Sequence, residues 1–96
     1  MMVLITYDVS TESDAGKKRL RRVAKTCEDY GQRVQNSVFE CIIDSARLKF
    51  LQAELTEIIE PKEDSLRFYF LGDDARHRVE HYGTKRSVDL QGTLIA

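Results

Sequence analysis

Asp8 ends an uncharged run, Met2-Val3-Leu4-Ile5-Thr6-Tyr7. A polar stretch follows, Ser10-Thr11-Glu12-Ser13-Asp14, and then a series of cations, Lys17-Lys18-Arg19, Arg21-Arg22 and Lys25. A carboxylate at the exit of a buried strand can hold a divalent cation, and a cationic surface beside it can hold a polyanion. Together the two features point to metal-assisted chemistry on nucleic acid. Each also has a plainer explanation: an Asp after a strand often caps a turn, and a charge run on a helix often only faces solvent. Position alone leaves both open.

Mg²⁺ prefers oxygen, keeps several waters and needs only one or two protein carboxylates. One Asp8 would bind it poorly, whereas two copies of Asp8 across a twofold axis, with phosphate oxygens and water, would bind it acceptably. Such an ion, or another such as Mn²⁺, polarises a phosphodiester and lowers the pKa of bound water. Lys17, Lys18, Arg19, Arg22 and Lys25 are the candidate phosphate contacts. Such contacts grip the backbone and carry little sequence information. Arg33 either adds a contact or pairs with an acidic neighbour. His77 and His81 are four apart, which suits a metal pair only on a helix, and Val79, Tyr82 and Gly83 argue against one there. Tyr7 reads as packing, because no His-apolar-His metal motif accompanies it. No Ser-His-Asp set or phosphate-binding glycine loop is legible.

These residues must be positioned by the elements around them. Met2–Tyr7 reads as a central strand. Gly16 to Tyr30 carries Leu20, Val23, Ala24, Cys27 and Tyr30 on one helical stripe, with Ser13 or Asp14 as N-cap and Gly31 as the stop. Lys18, Arg22 and Lys25 point away from that stripe, and Lys17 and Arg19 flank it. Gln32 to Ile43 is extended, with a turn near Asn36-Ser37 dividing it into two strands. Ser45 can cap a second helix that ends at Pro61, burying Leu48, Leu51, Leu55, Ile58 and Ile59 and leaving Phe50 outside. Ser65 to Leu71 is a strand with two partly apolar faces. The order βαββαβ predicts an α+β, ferredoxin-like sandwich: an antiparallel sheet with two helices on one face.

The 96 residues make a single domain, with a core over residues 2–72 and a C-terminal extension over 73–96 holding at most a short strand and a tail. The net charge of −1 hides an asymmetry: residues 17–33 carry seven basic and two acidic groups, residues 40–64 three basic and seven acidic. Cys27 and Cys41 fall in apolar patterns and read as buried free thiols of a reducing compartment. No stretch approaches a membrane span and no signal segment precedes the first strand, so the expected location is the cytoplasm, with no membrane partner. With the helices on one face, a monomer's other face should be polar. Leu4, Tyr69 and Leu71 fall there instead, and Asp8 shares their parity if Leu4 and Thr6 face outward. Contiguous apolar surface of that kind marks an interface, so two sheets should pack face to face in a homodimer.

Three segments then resemble a known family. Val3-Leu4-Ile5-Thr6-Tyr7-Asp8-Val9, Lys18-Arg19-Leu20-Arg21-Arg22-Val23-Ala24-Lys25 and Tyr30-Gly31-Gln32-Arg33-Val34-Gln35-Asn36-Ser37-Val38-Phe39-Glu40-Cys41 are similar to CRISPR-associated protein 2. Leu66-Arg67-Phe68-Tyr69 and Leu71 look like its fourth strand. The resemblance implies a ferredoxin-like homodimer with divalent-metal-dependent endonuclease activity on RNA or DNA, and it maps the family's metal aspartate onto Asp8. It further implies a role in spacer acquisition with the larger CRISPR integrase. The alternative is a non-catalytic DNA-binding adaptor dimer that bridges that integrase. A small regulatory ligand-binding domain would fit the strand order without accounting for the basic helix.

Overall fold

A computed structural model describes residues 1–72 and 78–84. Strand β1 (Met2–Asp8) is central because its β-branched and aromatic residues fill one face at every second position. Val3, Ile5 and Tyr7 are buried, while Met2, Leu4 and Thr6 are half-exposed and Asp8 is exposed. On one side β1 pairs with β3 (Val38–Ile42), Met2 opposite Ile42 and Thr6 opposite Val38. On the other it pairs with β4 (Ser65–Leu71), from Met2 opposite Leu71 to Asp8 opposite Ser65.

β2 (Gln32–Gln35) forms one edge and β5 (Val79–Gly83) the other, giving the order β2-β3-β1-β4-β5 with antiparallel pairing throughout. The expected turn at Asn36-Ser37 joins β2 to β3, and a register shift between Arg33 and Gln35 kinks the edge strand. The short strand expected after Gly72 is β5.

Helix α1 (Asp14–Glu28) starts two residues before the expected Gly16, because Ser13 caps it: the Gly16 N–H donates to Ser13 Oγ at 3.0 Å. It ends at Asp29 rather than Tyr30, and the Gly31 N–H closes the last turn onto the Cys27 carbonyl. Helix α2 (Ser45–Ile58) is capped by Asp44, not Ser45. The Arg47 N–H donates to Asp44 Oδ1 at 2.8 Å, leaving Ser45 as the first helical residue. Its C-cap is Ile59, so the helix stops short of Pro61.

The core lies between the helices and one sheet face. It contains Val3, Ile5, Phe39, Cys41, Leu66 and Phe68 from the strands, Val23 and Cys27 from α1, and Leu48, Leu51, Leu55 and Ile58 from α2. Phe68 meets the Tyr82 ring edge-on and Tyr7 stacks on Phe39, so Tyr7 is a packing residue as expected. Both cysteines are free and buried. Burial pushes the Cys27 thiol up to about 12, with Cys41 nearby adding to the shift, and burial raises Cys41 as well. Among the described residues no helix is long and apolar enough to cross a membrane.

Phe50 stands on the outer side of α2, 69% exposed, whereas Leu51 and Leu55 are fully buried. Truncation tests this orientation. Leu55→Ala should cost about 2–5 kcal/mol of unfolding free energy in urea melts. Phe50→Ser should stay within about 0.5 kcal/mol of wild type.

Candidate metal and nucleic-acid site

Asp8 is the last ladder residue of β1, and its side chain falls on the sheet face opposite the helices, in line with Met2, Leu4 and Thr6. No hydrogen bond or ion pair engages its carboxylate among the described residues, which leaves its oxygens open to solvent or a ligand. The same set contains no group of three His, Cys, Asp or Glu side chains that could hold a metal. Asp8 is thus a single exposed oxygen donor. That fits Mg²⁺ or Mn²⁺ as one ligand of a set completed by water, phosphate oxygens or a second copy.

The chain leaving Asp8 is held firmly. Val9 is buried, and the Ser10 N–H donates to Asp64 Oδ1 at 3.0 Å. Gly16, in the first turn of α1, lies so close to the Ser10 carbonyl that any Cβ there would collide with it. On the other flank the Tyr7 N–H donates to the Ser37 carbonyl and the Tyr7 hydroxyl to the Asn36 carbonyl. The strand tip therefore sits between the β2–β3 turn and the α2–β4 connection.

The six cations singled out by sequence divide into three groups. Lys17, Lys18, Arg22 and Lys25 are exposed along α1, as is Arg21. Arg22 and Lys25 also line a groove between the helices together with Thr26, Glu54, Glu57 and Ile58, so acidic groups of α2 face them. Arg19 forms the second group, engaged within the fold: its Nε lies 2.8 Å from Asp64 Oδ2, and its Nη2 lies 3.3 Å from both Asp64 Oδ1 and Glu63 Oε1. That guanidinium braces the fold through Asp64. Arg33 follows the other course open to it. Its Nη1 donates to the Asn36 carbonyl at 3.0 Å, its Nη2 lies 3.5 Å from Glu28 Oε2, and it covers the Phe39 ring.

The basic surface of α1 and the Asp8 carboxylate lie on opposite sides of the sheet in one chain. Only the strand-tip end, where the first turn of α1 meets Ser10, brings them near each other. The open face also carries apolar side chains away from Asp8: Ile42 (81% exposed), Leu71 and Val79. His81 belongs to β5, half-exposed opposite Arg67, with its Nε2 against the Thr84 carbonyl. His77 lies outside the described residues, and so does most of the tail.

Asp64 was not singled out by sequence, where it is one acidic residue among many in the 40–64 segment. It is fully buried and accepts from Arg19, from the Ser10 N–H and from the Glu60 N–H at 2.8 Å. Burial alone would raise its pKa. The Arg19 hydrogen bond and the two backbone donors outweigh burial and hold it below the ordinary carboxylate value. The one available signal was a carboxylate placed directly before a strand, where loops commonly need an acceptor.

A family model described as CRISPR associated protein Cas2 matches residues 1–79. The CRISPR-associated endoribonuclease Cas2 of Chlorobaculum tepidum and the CRISPR-associated endonuclease Cas2 of Halalkalibacterium halodurans are each 60% identical to the chain over 95 residues, covering 99% of it and 99% of the relative. The crystal structure of Streptococcus pyogenes Cas2 at pH 6.5 superposes with a TM-score of 0.71 at 61% identity, covering 83% of this chain and 96% of that one.

Because folding lowers the Asp64 pKa, its stabilising contribution is complete above the unfolded-chain value, about 3.9. It is lost as pH falls through the lower folded value. Arg19 keeps 17% side-chain exposure, so Asp64→Ala should cost near the lower end of the usual range for a broken buried pair, about 3 kcal/mol at neutral pH. Urea melts of both proteins across the acid range should show the gap closing below about pH 4.

Proposed function

The chain belongs to the CRISPR-associated Cas2 family, and from that premise we propose that it is a divalent-metal-dependent endonuclease that hydrolyses phosphodiester bonds of RNA or DNA, with Asp8 as its metal ligand. One observation carries this reading. The sole acidic side chain at the open-face end of β1 is exposed and unengaged among the described residues, in a chain 60% identical to proteins named as endonucleases.

A bound divalent ion would supply Lewis-acid polarisation of the phosphoryl oxygens and a water of lowered pKa. The residues of the chain account for the rest. Asp8 offers oxygen without first breaking a hydrogen bond to any of the described residues, so a cation meets no competing partner among them. The clamped backbone on either side, Tyr7 on the Ser37 carbonyl and Ser10 on Asp64, holds the carboxylate's origin in place. Lys17, Lys18 and Arg21 present charge along the first half of α1, beside the strand-tip end, and would hold the nucleic-acid backbone through phosphates. Lys25 and Arg22, closer to Glu54 and Glu57, would hold it less strongly.

In the same reading two copies associate through the open sheet faces. Support comes from the exposed Ile42, Leu71 and Val79 and from Leu4 between Glu40 and Tyr69. Such a pair would bring a second Asp8 to the site. The larger CRISPR integrase is the proposed protein partner, with spacer acquisition in the cytoplasm as the setting.

Cleavage of double-stranded DNA and single-stranded RNA should require Mg²⁺ or Mn²⁺ and stop in chelator. Asp8→Asn should reduce it by more than the roughly 100-fold that follows loss of a metal ligand's hydrogen-bonding partner, with nucleic-acid affinity retained. Cleavage by Asp8→Asn at the wild-type rate would refute the assignment. Reversing Lys17 and Lys18 to Glu should weaken binding across all sequences and flatten its salt dependence, the slope falling by about one per lost phosphate contact.

A further inference from the structure

We propose that Asp64, held by Arg19, is the positioning residue of the Asp8 site: it fixes the backbone carrying Asp8 and thereby sets the affinity of the strand tip for a divalent cation. This inference rests on the reading of Asp8 as a metal ligand.

No hydrogen bond or ion pair among the described residues orients the Asp8 side chain, so its placement comes from the backbone. The ladder with β4 ends at the Asp8–Ser65 pair, and Ser65 directly follows Asp64. Two residues beyond Asp8, the Ser10 N–H donates to Asp64 Oδ1. One buried carboxylate thus borders Asp8's strand partner on one side and ties down Asp8's own chain on the other.

Asp64 is itself immobilised. Each of its oxygens takes two donors: Oδ1 from Ser10 and Arg19, Oδ2 from Arg19 and the Glu60 N–H. The Arg19 fork is planar and presents separate nitrogens to the two oxygens, a fixed geometry that a single ammonium nitrogen does not reproduce. Arg19 belongs to α1, so the acidic strand tip and the cationic helix are locked to each other through this pair. Carboxylates and amides that orient a ligand from behind commonly contribute a factor of roughly 10–100 in metal affinity.

Two substitutions separate this role from simple bracing and from phosphate contact. Ser10→Pro deletes the one N–H and leaves the Asp64 pairs with Arg19 and Glu60. Arg19→Lys keeps the charge and loses the fork. The full-length proteins are checked for folding by thermal melts, and free Mn²⁺ is titrated by electron paramagnetic resonance without nucleic acid. Nucleic-acid affinity is measured separately in chelator.

Both variants should bind Mn²⁺ at least about 10-fold more weakly, hold nucleic acid within about twofold of wild type, and recover cleavage at high Mn²⁺. Unchanged Mn²⁺ affinity in folded Ser10→Pro would overturn the proposal. So would an Arg19→Lys protein with normal Mn²⁺ binding but weaker, less salt-sensitive nucleic-acid binding, which would make Arg19 a phosphate contact. Hydrogen exchange of the wild-type Ser10 amide needs no variant: protection supports the bond to Asp64, and exchange at the rate of an open loop overturns it. Mn²⁺ affinity that survives Asp8→Asn would instead remove the metal reading itself, and the positioning role with it.

Discussion

A carboxylate with no solvent exposure is costly unless every lone pair finds a donor, and the strand-tip end of this molecule is organised around meeting that demand at Asp64. Its partners come from the β1–α1 loop, from α1 and from the α2–β4 connection. Its own carbonyl receives the Thr84 N–H just beyond β5. Gly83 completes the arrangement: its φ of 91° lies in the left-handed region, and a Cβ there would strike the same carbonyl. Hydrophobic packing would tolerate small shifts between these segments. Hydrogen bonds to one buried carboxylate do not, and so they set the relative position of strand tip and helix start to within bonding distance.

The period of the strands accounts for the other main feature, a layer whose two sides do different work. Val3, Ile5 and Tyr7 serve the core, so Asp8, one residue further, must fall on the opposite side. The amphipathic stripe of α1 faces the core from the helix side, so its exposed cations point away from the sheet, while Arg19 turns to Asp64. Carboxylate and cations therefore diverge by construction within one chain, and they approach only where α1 begins. In the proposed reading, a nucleic acid held by α1 would pass around the end of the sheet to reach Asp8. This geometry favours the cations of the first helical turns over those near Glu54 and Glu57.

Much of this was legible from residue order, because periodicity is a strong signal where a face is fully buried. β1, β4, the buried row of α2 and the outward Phe50 follow directly from alternation or helical spacing. Helix starts were less legible. Asp44 and Ser45 are both competent caps, and which one lies outside the helix depends on backbone angles that residue type does not decide. The roles of Arg19 and Arg33 were hidden for another reason. Asp64 lies 45 residues from Arg19 and becomes its neighbour only through tertiary folding, whereas Asn36 lies three residues from Arg33 and meets it through the shape of the β2–β3 turn. A cation's availability depends on such partners, so a helical wheel shows where Arg19 points but not what it meets.

The same partner logic narrows the chemistry open to the site. A protein nucleophile must be reachable and readily deprotonated. Cys27 is buried with its thiol pushed up to about 12, and Cys41 is buried and raised as well. The Tyr7 hydroxyl is raised by burial, with Cys27 adding to it, and is spent on the Asn36 carbonyl. Each is inert because it serves the core. The exposed Asp8 carboxylate at the strand tip is a poor nucleophile towards a phosphodiester but a good ligand and hydrogen-bond acceptor. In the proposed reading the attacking group is water, and the work left to the chain would be to hold water, cation and phosphate in line. Such a task places little demand on the number of reactive side chains and a large one on the rigidity of the backbone that carries the single acid.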